Sequence, residues 1–313
     1  MKLSVIIPTH NPHTGRLQRT LNALRAQTLT AADWEAILVD NASVPALASA
    51  DWSAHGPANL RLVAEPEPGL SPARRRGFLA GAGDIFVLVD DDNEIAPNYL
   101  EETLRLFAAH SQVGLLGGRS LPEFEQTPEP WVREFDGLIA CRDLGDAPLI
   151  SQGLRGAATG RNEYPTFAPI GAGMALRRAA AQAWLEQSPD ASLPDRKGRD
   201  LSSGGDNDIV LAALTAGWEA AYFPSLRLTH LIPASRTTPE YLARLNRGIQ
   251  RSWMRVLSKH DANPWPPLAA WSLPLRCAKA WLTHRAWTSP AAHIRWHGAC
   301  GHFEGRRRPP ASV

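Results

Sequence analysis

The chain has 313 residues and 44% hydrophobic content, enough for one large domain with an appendage or for two domains. A net charge of only +2 excludes a general electrostatic pull toward nucleic acid. Three scattered cysteines (Cys141, Cys277, Cys300), none in a C-x-x-C pair, argue against a disulfide framework or a thiolate zinc site and for a reducing, cytoplasmic setting.

"MKLSVIIPTHN" has one lysine and an apolar run too short for a signal peptide, so it reads as a first strand. Leu17, Leu21 and Leu24 then recur at helical spacing. "EAILVD", ending at Asp40, and "LRLVAE" are the next two strands. "SPARRRGFLAGAG" reads as a helix, with Ser71 as N-cap and Pro72 at the first helical position. "DIFVLVD" is a fourth strand, "APNYLEETLRLF" a helix and "VGLLGG" a fifth strand. This alternation predicts a mixed, mostly parallel α/β sheet flanked by helices, with ligands bound beyond the carboxyl ends of its strands. Asp40 and Asp90 fall at such ends.

The middle is less regular. "LPEFEQTPEPW" reads as loop, "PIGAGMALRR" as a strand followed by a helix, and residues 186–204 as a polar loop suited to closing over a ligand. "WEAAYFP" and "LRLTHLI" read as two more strands. Residues 240–258 form an amphipathic helix with Leu242, Leu245, Ile249, Trp253 and Val256 on one face and Arg244, Arg247, Arg251 and Arg255 opposite. Such a helix either packs on its own domain or lies on an anionic membrane, which would place the protein at the inner face of the plasma membrane. No stretch reaches the roughly 18 apolar residues of a membrane span. A "GRRRPP" segment closes the chain as a disordered tail.

Three consecutive aspartates, Asp90 to Asp92, follow the apolar run of the fourth strand. Like charges at one point repel and are costly to desolvate unless something positive sits there. Strand alternation sends Asp90 and Asp92 to one side and Asp91 to the other. A carboxylate pair suits a hard divalent cation that also holds phosphate oxygens, and the plainer reading is a solvated acidic turn. His230 ends another apolar strand, where most single histidines are structural. Asp206 and Asp208 follow a glycine pair and would also serve a helix N-terminus. Arg74 to Arg76 lie early in a helix, where one or two can face a phosphate.

Six segments, "SVIIPTHN", "ILVDNAS", "GLSPARRRG", "FVLVDDDN", "GGDNDI" and "LTHL", resemble, in order and spacing, family 2 inverting glycosyltransferases of the GT-A fold. The resemblance covers about residues 2–235. It implies a GT-A catalytic domain over 1–235 and a helical, basic, Trp-rich extension over 236–313. It also implies that Pro8, Thr9 and Asn11 line a nucleotide pocket and that Asp40 binds base or ribose; "NAS" at Asn41 matches a glycosylation acceptor but, with no signal peptide expected, reads as further pocket lining. Arg74 matches the arginine of the family's A-R-N-x-G element, with Arg75 in place of the asparagine. Asp90 and Asp92 match the D-x-D motif, with Asp92 and His230 as ligands of Mn²⁺ or Mg²⁺. Asp206 matches the general base of the G-E-D element, with Gly205 replacing the glutamate. Gly171, Gly173 and Asp208 fall on the acceptor side. The implied partners are a nucleotide-diphosphate sugar, UDP-linked by preference, and a saccharide or lipid-linked acceptor in cell-surface glycan synthesis.

Alternatives are a nucleotidyltransferase, disfavoured because "PTHNPHTG" is no glycine-rich phosphate loop, and a non-catalytic nucleotide-sugar-binding or scaffold protein of the same fold. G-x-G-x-x-G, which a dinucleotide-dependent oxidoreductase would need, is absent. The basic C-terminus lacks the groove logic of a nucleic-acid-binding module.

Overall fold

The computed structural model describes residues 2–156, 160–187 and 204–308. Strand β1 (Leu3–Thr9) is buried along its whole length. It pairs in parallel with β2 (Trp34–Asn41) on one side and β4 (Ile85–Leu88) on the other, and β3 (Leu60–Glu65) pairs in parallel with β2. The remaining strands are β5 (Asn93–Ile95), β6 (Val113–Phe124), β7 (Leu149–Ile150), β8 (Ala175–Arg177) and β9 (Glu219–Ile232). They complete a mixed sheet of order β3-β2-β1-β4-β8-β6-β9-β5, with β7 also on β9. Here β8, β5 and β7 join antiparallel.

Strand alternation divides the core into two layers. Leu3, Val5 and Ile7 of β1 point to one face, where Leu17, Leu21 and Leu24 of α1 (Thr14–Arg25) and Leu100, Leu106 and Phe107 of α4 (Tyr99–Ala109) cover them. Ile6, Ile37 and Val39 point to the other face. There α3 (Leu70–Ala80) contributes Ala73 and Phe78, α5 (Arg178–Leu185) Trp184, and α6 (Gly205–Thr215) Ile209 and Val210. Continuous apolar strands with helices on both faces are what a parallel half-sheet requires. A short helix, α2 (Ser49–Ser53), lies between β2 and β3.

Three local expectations change. Helix α3 begins at Leu70 after Gly69, which sits at φ 143, so Ser71 and Pro72 are already inside the first turn. "WEAAYFP" and "LRLTHLI" form one strand, β9, of 14 residues. Pro224 is tolerated because it falls between the stretch of β9 facing β7 (Ala221, Tyr222) and the stretch facing β5 (Leu228 to His230). "LPEF", read as loop, extends β6 to Phe124.

The chain forms two compact units. The first holds the described residues of 2–123, 140–187 and 208–231. The second takes 124–139, 204–207 and 232–308. An expected boundary at 235 lies close to the end of β9, but the second unit also takes the 3-10 helix Pro130–Ile139. That helix packs on α7 (Pro239–Lys259) and α9 (Pro290–Gly305). The Glu134 carboxylate takes two hydrogen bonds from the Arg295 guanidinium, each 2.5 Å.

The apolar face of α7 is covered. Leu242, Leu245 and Val256 are fully buried, and α9 packs along the helix. Arg247, placed on the solvent side by periodicity, donates to Glu304 of α9 at 3.0 Å, and Asn246 Nδ2 donates to the Ile294 carbonyl at 3.0 Å. Of the two readings of residues 240–258, packing on the chain's own helices is the one the structure shows, and the apolar face is a helix–helix interface with α9. The third helix of the unit is α8 (Leu273–Thr283). No described helix is long and apolar enough to cross a membrane.

Candidate active site

The parallel strands end together. Thr9, last in β1, is in register with Asp40 of β2, and Ile6 with Leu88, last in β4. The loops beyond these ends are tied to one another by side chains. Asp40 accepts the backbone N–H of Ser43 (3.1 Å) and of Leu47 (2.9 Å), which fixes the loop after β2. Asn11, at φ 47, donates its backbone N–H to Ser43 Oγ (2.9 Å) and accepts the Val44 N–H on Oδ1 (2.8 Å). Asn41 Nδ2 donates to the Glu65 and Glu67 carbonyls (3.2 and 2.6 Å), while its Oδ1 accepts the Gly69 N–H (2.7 Å). One asparagine thus anchors the segment that turns into α3, the helix carrying Arg74.

Of the three successive arginines only Arg74 turns inward; Arg76 is exposed. Arg74 is 3% exposed, and its Nη2 lies 4.0 Å from Asp90 Oδ1, which is beyond hydrogen-bond length. Its Nε has no hydrogen-bond partner among the described residues.

The aspartates are not a continuation of the strand. β4 stops at Leu88, and residues 90–93 form a turn in which the Asn93 N–H meets the Asp90 carbonyl (3.0 Å) and Asn93 Oδ1 accepts the Asp90 N–H (3.3 Å). Alternation therefore does not govern which way the carboxylates face. Asp90 lies near Arg74, and Asp91 accepts the Thr9 hydroxyl. Asp92, 4% exposed, lies against His230, with Nε2 and Oδ1 3.3 Å apart. This last pairing follows from register, because β5 runs antiparallel to β9 with Asn93 opposite His230. The Leu231 N–H holds the Asp92 carbonyl (2.8 Å), and Cys141 Sγ lies 3.9 Å from His230 Nδ1.

Pro8, Thr9, Asn11, Asp40, Arg74, Asp90, Asp92 and His230 all belong to the first unit. Asp206 belongs to the second, in the first turn of α6, where Oδ1 accepts the Asn207 N–H (3.0 Å). The acceptor-side expectations meet packing. Gly173, at φ 77, donates to the Leu88 carbonyl (3.0 Å), and its own carbonyl accepts the buried Tyr99 hydroxyl (2.5 Å). A Cβ there would come within 2.7 Å of that hydroxyl, so the position requires glycine for close approach. Gly171 is buried and its carbonyl accepts the Met174 N–H (3.3 Å). Asp208 accepts the Trp184 indole N–H (2.8 Å), joining α5 to α6. From 188 to 203 the expected closing loop lies outside the described residues.

Sequence reasoning missed Asn93 and Cys141 and placed Asn41 only as lining. The signal for Asn41 was its position at the carboxyl end of β2; for Cys141 there was none, since it meets His230 only through tertiary packing.

Among the described residues no three His, Cys, Asp or Glu side chains form a metal cage. Asp92 and His230 supply two donors, an oxygen and a nitrogen, side by side and shielded from bulk water. Such a pair would suit a divalent ion that takes its other ligands from outside these two side chains.

A half-parallel sheet flanked by helices, with a buried arginine and an acidic turn at its strand ends, has the layout of a glycosyltransferase of the GT-A fold. Residues 4–185 match the family described as Glycosyl transferase family 2, and the chain belongs to that family. It is 28% identical over 78 residues to the glucosyl-dolichyl phosphate glucuronosyltransferase of Haloferax volcanii, covering 25% of each chain. It is 33% identical over 132 residues to the uncharacterized glycosyltransferase YibD of Escherichia coli K12, 42% of this chain and 37% of that one. The chain thus spans well under two thirds of these relatives. The fold is similar to that of S. aureus TarS residues 1–349, solved in complex with UDP, with a TM-score of 0.51, 12% identity and coverage of 98% of this chain and 90% of that one.

Proposed function

We propose that the protein transfers a sugar from a nucleotide-diphosphate donor, preferably UDP-linked, to a hydroxyl of a saccharide or lipid-linked acceptor, with inversion at the anomeric carbon. The observation that carries this reading is Arg74. A buried guanidinium with an unmet N–H is costly unless an anion meets it. A diphosphate oxygen at the strand ends supplies that anion. The solved structure of TarS with UDP is consistent with such a donor.

Asp92 and His230 would hold Mn²⁺ or Mg²⁺, which when bound neutralises charge on the diphosphate. Arg74 meets the negative charge that grows on the leaving group as the glycosidic bond breaks, a preorganised stabilisation that water could not match. Asp90, close to Arg74, keeps the guanidinium aimed at the strand ends. Asn11, Asp40 and Asn41 hold the loops that would flank base and ribose. Asp206 takes the proton from the acceptor hydroxyl as that oxygen attacks the face opposite the leaving group. One displacement inverts the centre.

A thermal-shift series with nucleoside diphosphates, with and without Mn²⁺, tests the donor half. One diphosphate should raise the melting midpoint, and at 100-fold over its Kd the gain is about 2.7 kcal/mol. Absence of any shift across the series would defeat the reading. Asp206→Asn should keep the shift and lose transfer.

A further inference from the structure

Helix α8 is open to solvent along most of its surface, Ala280 being its one buried residue. Trp281 packs against Trp296 of α9, but two leucines face outward: Leu275 is 68% and Leu282 65% exposed. Trp271, in the 3-10 turn just before it, is 76% exposed, and Trp287, just after it, 58%. Positions 271, 275, 278 and 282 recur at spacings of four, three and four, which align them on one helix face. Ala280 lies toward the opposite side. The pattern is the reverse of a core helix.

The clustering is local. Ten large hydrophobic residues are exposed among those described, and five of them, including all three tryptophans, lie between Trp265 and Trp287. Exposed Leu and Trp gathered in one stretch mark a surface that meets something apolar.

The charge says what that is. From Ala262 to Phe303 the sequence contains no aspartate or glutamate. Within it, Arg276, Lys279 and Arg285 flank the apolar stripe, and none is in an ion pair among the described residues. Leucines directed outward, tryptophans at both ends and unbalanced basic residues at the flanks suit an interface with an apolar interior and anionic headgroups. The long stems of Arg276 and Lys279 let their charges reach headgroups while the leucines insert. A second copy of this chain would bring like charges together. A nucleic acid would find the phosphate contacts but nothing for the leucines.

We propose that the α8 face, Trp271, Leu275, Leu282 and Trp287 with Arg276, Lys279 and Arg285, docks in the plane of an anionic lipid bilayer. This inference stands apart from the transfer reaction and requires no nucleotide.

The test is flotation of the full chain with phosphatidylcholine vesicles, with and without phosphatidylglycerol. The chain should float with the phosphatidylglycerol vesicles, less in high salt and less with phosphatidylcholine alone. Leu275→Glu/Leu282→Glu should lower the partition coefficient at least about tenfold while leaving the melting midpoint and the nucleotide shift unchanged. Failure of the parent chain to float, or equal flotation of the variant, would overturn the proposal. So would a parent that elutes as a dimer without lipid and is made monomeric by the variant. Should the variant melt early, quenching of the parent's tryptophans by brominated phosphatidylcholine in the anionic vesicles decides. Quenching that Trp271→Phe reduces supports bilayer contact, and no quenching removes it.

Discussion

Glu35 is a carboxylate on a central strand, 6% exposed, and it survives there because three donors meet it. Ser4 Oγ (2.8 Å) and the Ala82 N–H (2.6 Å) donate to Oε1, and Arg61 Nε donates to Oε2 (2.8 Å), with Ser4 in turn taking the Gly83 N–H (2.8 Å). Burial pushes its pKa up, but the Ala82 N–H, Ser4 and Arg61 together carry it below the ordinary 4.5. The unfolded chain therefore binds the proton first on acidification. The stabilisation is complete above pH 4.5 and is lost as pH falls through the folded value below it. Glu35→Gln should cost about 1–3 kcal/mol at neutral pH, and the gap to the parent should close in acid. A gap that stays constant from neutral pH to pH 3 in denaturant melts would refute this account.

The aspartate triplet shows at the same scale where reading residues from sequence stops. Its demand for positive partners was legible from "FVLVDDDN" alone. The partners were not. Because β4 ends at Leu88, the three carboxylates sit in a turn and go three ways, toward Arg74, Thr9 and His230. Period-2 alternation applies only where the backbone is a strand.

Among elements, the pairing of α7 with α9 carries the second unit. Gly298, Gly301 and Gly305 present bare backbone to α7, and a Cβ on Gly301 would press into the Arg247 carbonyl. Backbones this close leave no room for a side chain, so Gly301→Val should destabilise by about 1–3 kcal/mol or more. Gly137→Ala, whose Cβ would meet nothing within 4 Å, should be near neutral in the same urea titration. Equal losses would show that the glycines are incidental. The Gly-x-x-Gly-x-x-x-Gly spacing was in the sequence, but its meaning depended on which helix faced it. For that reason the amphipathic pattern of 240–258 suggested a surface helix: periodicity reports that a face is apolar, not what covers it. α8 is the converse, a helix whose outward leucines are unusual only once its buried side is known.

For the whole molecule, acid should act in two windows. Burial, aided by the positive charges of His293 and Arg247, pushes the His297 pKa down to about 4 from an ordinary 6.5. Its neutral form is the folded one. Protonation favours the unfolded chain, so stability falls as pH drops from 6.5 to about 4 and this contribution then levels off. The second unit, which holds His297, should weaken in mild acid, while the Glu35 contribution in the first unit fails only below 4.5. Calorimetric scans of His297→Gln should show a flatter midpoint between pH 6.5 and 4 than the parent. An unchanged slope would mean that His297 does not titrate against folding.

The alternation of strands and helices through the first half of the chain, the acidic cluster after the fourth strand, the arginine in the helix before it and the family itself were determined by the sequence, because hydrophobic period and short motifs are local properties that survive in any context. Which carboxylate meets which partner, that β9 runs unbroken past Pro224, and that α9 covers α7 while α8 stays bare were decided only in the tertiary structure. Those outcomes rest on register and close backbone approach between segments far apart in the chain, as with Asp92 and His230, which no local pattern encodes.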